Sequence, residues 1–320
     1  VRGASKRRRL REDKAQTDPA LRELLDETLR NVPIALDSQN PHDSSADTAV
    51  LEKIILLLEK KGFGDASLYL KLAHIAHSRG DLTQALSFAE RALEFAERAG
   101  NTTHKSYALG AVGIIHKDKN QPDEAFKFLS HALNTAREAK QKDAEARHLR
   151  VLGTMYRAKR GSGIDIDLSL EYFQNALAID QEINDRSGVA QDLVFLGLSY
   201  LHQRDLALPV NYFNDALNAH RETTNRRGEA RALGNLGMAH QIRGDLDSAL
   251  RYLNNALMIH EELGNLRGQS QSLGNIGLIY QAKGSLDLAL EYHSDALAID
   301  HDTGDTAAEA QDIGGGITGV

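Results

Sequence analysis

Catalytic or metal chemistry in this chain would have to come from histidines and carboxylates, because the 320 residues include no cysteine and no tryptophan. That composition removes disulfides, thiolate metal sites and cysteine nucleophiles. Of thirteen histidines, His74 and His77 share a helix face, and His220 and His260 recur at a forty-residue spacing. Neither pair has an HExxH context or a third ligand at workable spacing, so they read as surface or packing histidines and not as a metal site. Glu261 with Glu262, and Asp165 with Asp167, are neighbours along the chain rather than carboxylates set across a cleft. The Gly161-Ser162-Gly163 turn is not followed by the lysine and helix of a phosphate loop. The expectation is a chain without catalytic residues, cofactor or metal.

Recognition chemistry remains. Helical geometry puts side chains three and four apart on one face. On that basis Lys117, Arg147, Arg150 and Arg157 share a face with Gln191, His202, Arg231 and Asn235, and with Gln241, Gln271, Asn275 and Gln281. Asp81, Asp123, Asp205 and Asp245 collect instead in turns, inside a chain of formal net charge −7. A basic, amide-rich face in an acidic protein predicts an acidic partner segment, with Arg147, Arg150 and Arg157 placed for bidentate contacts to carboxylates.

The elements that position these residues are repeats. Residues 228–267 return forty residues later, with Gly234, Asn235, Gly237, Gln241, Gly244, Leu246, Tyr252 and Ala256 unchanged in register. A fixed period of this length marks a stacked solenoid. An Ala-Leu pair recurs at Ala92, Ala132, Ala176, Ala216, Ala256 and Ala296, forty residues apart except for forty-four between Ala132 and Ala176. The extra four fall near residues 160–165, between two helices. Each unit reads as two helices; in the best one they span about 229–243 and 247–263, broken at Gly244 and Asp245. Gly113, Gly153, Gly197, Gly237 and Gly277 sit mid-helix at one repeat position, each costing roughly 1 kcal/mol against alanine on propensity. Close helix packing is the expected compensation, with Ala85, Ala125, Ala249 and Ala289 facing them. Pro209 falls in a first helical turn, where no amide partner is lost.

Outside the array, residues 1–47 read as a basic, partly disordered arm with one short helix, and 48–66 as an amino-terminal capping helix. Six repeats occupy 67–306, and 307–320 start a truncated seventh repeat or a cap, with Gly316 where a core leucine belongs. Lys6, Arg7, Arg8, Arg9 and Arg11 form a block that reads as a solvated tail, with nuclear import or contact with acidic lipid or RNA as the alternative uses. No apolar run is long enough to cross a bilayer.

The small-residue positions, the aromatics Tyr156, Tyr200 and Tyr280, and the Ala-Leu pair resemble the tetratricopeptide repeat (TPR). The forty-residue unit is similar to those of kinesin light chains, of the LGN/Pins scaffolds and of bacterial arrays fused to CHAT or NB-ARC domains. The resemblance implies an all-α fold, a right-handed α-α superhelix (TPR solenoid) of about six helix-turn-helix repeats. It also implies a concave groove lined by the first helices that takes an extended or helical partner segment. In the kinesin light chain and LGN branches an asparagine just before the core leucine binds the partner's backbone; Asn235 and Asn275 match it. Lys71, Ala111, Val151 and Phe195 depart from it.

The functional expectation is a non-enzymatic, cytoplasmic protein–protein interaction scaffold that binds an acidic segment in its groove. The alternative is the sensory or regulatory array of a larger signalling protein whose effector domain lies beyond residue 320. Self-association through the truncated carboxyl end is a second partner expectation; nucleic acid is not favoured.

Overall fold

The computed structural model describes residues 66–158, 166–201 and 207–303. Outside the described residues lie the expected arm (1–47), all but the last residue of the expected capping helix (48–66), the four-residue insertion, His202, Asp205 and the seventh unit (307–320).

The described residues form twelve α-helices and no strand. They are α1 (Ala66–Ser78), α2 (Leu82–Ala99), α3 (Thr102–Asp118), α4 (Pro122–Glu138), α5 (Lys142–Ala158) and α6 (Ile166–Glu182). They continue with α7 (Arg186–Tyr200), α8 (Ala207–Glu222), α9 (Arg226–Ile242), α10 (Leu246–Glu262), α11 (Leu266–Ala282) and α12 (Leu286–Thr303). The fold is an all-α helical-repeat solenoid in which each odd-numbered helix pairs with the next. Two compact units divide the chain, residues 1–144 and 145–320. Helices α1–α4 belong to unit 1, α6–α12 to unit 2, and α5 starts in the first and continues in the second.

Periodic capping defines the helices. The side chains of Asn101, Asp185, Asn225 and Asn265 each accept an N–H from the first turn of a first helix. Asp81 and Asp245 do the same for second helices. Each cap satisfies an amide that the helix leaves orphaned, at about 1 kcal/mol. Just before each cap the chain passes through the left-handed region, at Gly264 (φ 60) and, against the usual residue preference, at Thr224 (φ 53). These caps also explain why α9 and α10 begin at Arg226 and Leu246 rather than one to three residues later: helix starts at its cap, not at its first apolar residue.

Within each repeat an aromatic pair joins the two helices. His116–Phe128, Tyr156–Tyr172, Tyr200–Tyr212, His240–Tyr252 and Tyr280–Tyr292 all stack with ring centroids 5.2–5.6 Å apart. The mid-helix glycines face these junctions, but alanine is not what fills the space. A Cβ at Gly113, Gly153, Gly197, Gly237 or Gly277 would come within 2.5–2.8 Å of Leu129, Phe173, Phe213, Leu253 or His293. A large side chain of the second helix thus lies across the bare backbone. Of the expected alanines only Ala249, through its carbonyl oxygen, is among the nearest neighbours, at Gly237. Pro209 does lie in the first turn of α8, buried.

Candidate binding face

Repeating first helices carry equivalent residues at forty-residue steps, so the expected recognition residues can be followed helix by helix. In unit 1, Lys117 is exposed at the end of α3 and lies 3.2 Å from Asp118, which also takes the ring nitrogen of His77 at 2.7 Å. The cation here is already paired.

In unit 2 the residues divide into three kinds. Arg150 is internally engaged: its Nε donates to Asp192 Oδ1 at 2.5 Å and its Nη2 donates to Asp180 Oδ2. Asp180 and Asp192 are fully buried, and the arginine side chain is only 13% exposed. Burial pushes both carboxyls up, Asp192 to about 7, against the opposing pull of Arg150. Arg150 therefore ties α5 to α6 and α7; a bidentate grip on a partner would have to displace it from two buried carboxylates. Spacing alone gave no sign of this, because the two acids come from other helices.

Arg157 and Arg231 are the second kind. Burial of Arg157 lowers its pKa, and its Nε is enclosed with no hydrogen-bond partner among the described residues. Arg231 is solvent-exposed, yet desolvation by surrounding protein lowers its pKa too. The two observations fit a charge that is flanked by protein and still open to water on one side. Among the described residues neither guanidinium has a carboxylate within ion-pair distance. Desolvated charge without a counter-charge is unfavourable, and an incoming carboxylate relieves it.

The amides are the third kind. Asn235 and Asn275 are half-buried at the same place on α9 and α11, and the Nδ2 of Asn235 is enclosed without a partner among the described residues. Next to Asn235, a Cβ on Gly234 would meet nothing within 4 Å, so the backbone there is open to approach. Gln191, Gln241 and Gln281 are half-buried, and Gln271 and Arg147 are exposed.

Unit 2 also holds a buried polar row that the recognition residues do not explain. Asp180, His220, His260 and Asp300 occupy one position on successive second helices. Asp180, His220 and Asp300 are each 1% exposed and His260 is half-buried. A Cβ on Gly188, Gly228 or Gly268 would collide with Asp180, His220 or His260. Each glycine thus opens a socket in the next repeat. Among the described residues no three His, Asp or Glu side chains group as a metal site would need, and no helix is long and apolar enough to cross a membrane.

The family model described as "Tetratricopeptide repeat" matches residues 64–138 and 228–301. No curated protein matches the chain in sequence. Similar solved structures include BtubC (BKLC) from P. vanneervenii, 21% identical with a TM-score of 0.59, covering 70% of this chain and 92% of that one. A Rap protein complexed with Competence and Sporulation Factor is 17% identical with a TM-score of 0.64, covering 92% and 80%. The STAND protein with a tetratricopeptide repeat sensor from Pyrococcus horikoshii is 14% identical with a TM-score of 0.64, covering 93% and 51%. At these identities the likeness is one of fold.

Proposed function

Because the chain is a tetratricopeptide-repeat protein, we propose that it is a non-enzymatic cytoplasmic scaffold whose unit 2 binds an acidic segment of another protein along the first helices. The observation that carries this reading is the pair of desolvated guanidiniums, Arg157 and Arg231, with no carboxylate beside either among the described residues. They are the charge anchors. Asn235 and Asn275, with Gln191, Gln241, Gln271 and Gln281, supply neutral donors and acceptors for a partner's main chain; Arg147 adds exposed positive charge. Arg150 acts indirectly, by holding α5, α6 and α7 in register. Lys117, in unit 1, is a lesser contributor because Asp118 competes for it.

The likeness to a Rap protein complexed with Competence and Sporulation Factor is consistent with protein binding but says nothing of which partner this chain takes. Peptide panning tests the reading. Random twelve-residue peptides displayed on phage and selected on the full chain should be enriched in Asp and Glu. Binding should weaken at least tenfold in the Arg157→Ala/Arg231→Ala variant and fall with added salt. Selection of basic or purely apolar peptides, or affinity indifferent to both arginines, would refute it.

A further inference from the structure

His220 and His260 sit where unit 1 has alanine. The equivalent positions there, Ala96 and Ala136, are fully buried. An imidazole is much larger than a methyl group, and the chain accommodates it by removing the facing side chain, at Gly228 and Gly268. Each ring therefore fills the junction between one repeat and the next: α8 against α9 for His220, and α10 against α11 for His260.

The protonation state of these rings is set by what surrounds them. Asn265 Oδ1 accepts the Gly268 N–H at 3.0 Å, so its Nδ2 is the group that faces His260 Nδ1, also at 3.0 Å. An amide donor at that distance requires a lone pair on Nδ1, which is the neutral ring. Neither ring nitrogen of His220 has a hydrogen-bond partner among the described residues. The charged groups facing His220 are Glu229 and Arg231 of α9, acting in opposite senses. The charged group facing His260 is Arg227 of α9. From the α11 side Asn265 and Gln269 present amides, the latter to the His260 carbonyl.

We propose that the α8–α9 and α10–α11 junctions are acid-sensitive latches: protonation of His220 and His260 expels the rings from their glycine sockets and loosens repeats four to six, while the alanine junctions of unit 1 stay closed. Burial lowers the pKa of both rings below the ordinary value of 6.5, with the nearby arginines adding to it. The sign follows directly. A folded-state pKa below the unfolded one gives stability that is present above pH 6.5 and lost as pH falls below it. Loosening these junctions disturbs the spacing of α7, α9 and α11, so ligand release on acidification is the functional consequence.

Hydrogen–deuterium exchange of the full chain at pH 7.5 and 5.5, corrected for intrinsic rates, tests the latch. Protection in α8–α11 should fall at least tenfold at the lower pH, with α1–α4 changing less than twofold. His220→Ala/Gly228→Ala together with His260→Ala/Gly268→Ala transplants the Ala136/Ala144 pairing of the α4–α5 junction and should abolish the difference. If that quadruple variant does not fold, the His260→Ala/Gly268→Ala pair alone should abolish the response in α10 and α11 only. Equal loss in both units, or a response that survives these substitutions in a folded chain, would overturn the proposal.

Discussion

The two units use the same repeat and fill it differently. At the junction position unit 1 places Ala96 and Ala136, and unit 2 places Asp180, His220, His260 and Asp300. Alanine at a buried junction needs nothing further. Three of the four polar replacements come with a compensating feature: a glycine socket at Gly188, Gly228 and Gly268, and for Asp180 also the Arg150 guanidinium. One architecture thus supports alanine at this junction position in unit 1 and buried polar or titratable side chains there in unit 2. The second half also carries Arg157 and Arg231, with no carboxylate within ion-pair distance of either among the described residues, and the half-buried amides.

The largest effect that tests this difference is Arg150→Ala. It leaves Asp180 and Asp192 buried together without a cation and should cost unit 2 about 3–5 kcal/mol. Denaturant unfolding followed by site-resolved exchange should show α5–α7 opening first while α1–α3 keep their protection. The converse substitution, Ala136→Asp, should destabilise unit 1 by a similar amount, because no arginine is provided there. Equal tolerance of aspartate in the two settings would break the comparison.

An intermediate effect separates the glycines. Gly113→Ala in unit 1 meets Leu129 Cγ at 2.7 Å and the Leu129 backbone nitrogen at 3.1 Å, whereas Gly153→Ala in unit 2 meets only atoms of the Phe173 ring. Overpacking costs about 1–3 kcal/mol, against roughly 1 kcal/mol gained in helix propensity. Gly113→Ala should lower the melting temperature at least as much as Gly153→Ala.

Next comes the dependence on pH through Asp192. Burial raises the Asp192 carboxyl to about 7, so the folded state holds its proton more tightly than the unfolded state does. The resulting stability is present below the ordinary value of 3.8 and is lost as pH rises through about 7. Unit 2 should therefore lose stability relative to unit 1 as pH rises from about 4 to about 7, with no further loss above that, and Asp192→Asn should flatten the slope. The histidines act in the opposite sense below pH 6.5, so Asp192→Asn and the histidine substitutions separate the two responses. The smallest effect is Lys283→Ala. Its Nζ lies 2.6 Å from Asp247 at the surface, and the loss should be within about 0.5 kcal/mol.

Much of this molecule was legible in the sequence, for identifiable reasons. The repeat period, the helix pairs and the special mid-helix glycines follow from spacing, which survives without coordinates. The partner across each glycine did not follow, because helix rotation decides whether an alanine or the bulky residue four positions on lies over it; Ala249 and Leu253 show the difference. The forty-residue spacing of His220 and His260 was visible, but only as a failed metal pair. The informative signal was the glycine eight residues later, at Gly228 and Gly268, where the structure puts the ring. Arg150 looked equivalent to Arg157 along the helix. Their environments differ because Asp180 and Asp192 approach only one of them, and that is a fact of packing between helices.

Calorimetric titration of one panned acidic peptide into three full-length proteins decides whether unit 2 carries the proposed acidic-ligand face. Wild type and a Lys117→Ala variant should bind within threefold of each other, and Arg157→Ala/Arg231→Ala should bind at least tenfold more weakly with an unchanged far-ultraviolet circular dichroism spectrum. Loss of binding on Lys117→Ala, with the double arginine variant unaffected, would contradict the assignment and move the ligand to unit 1.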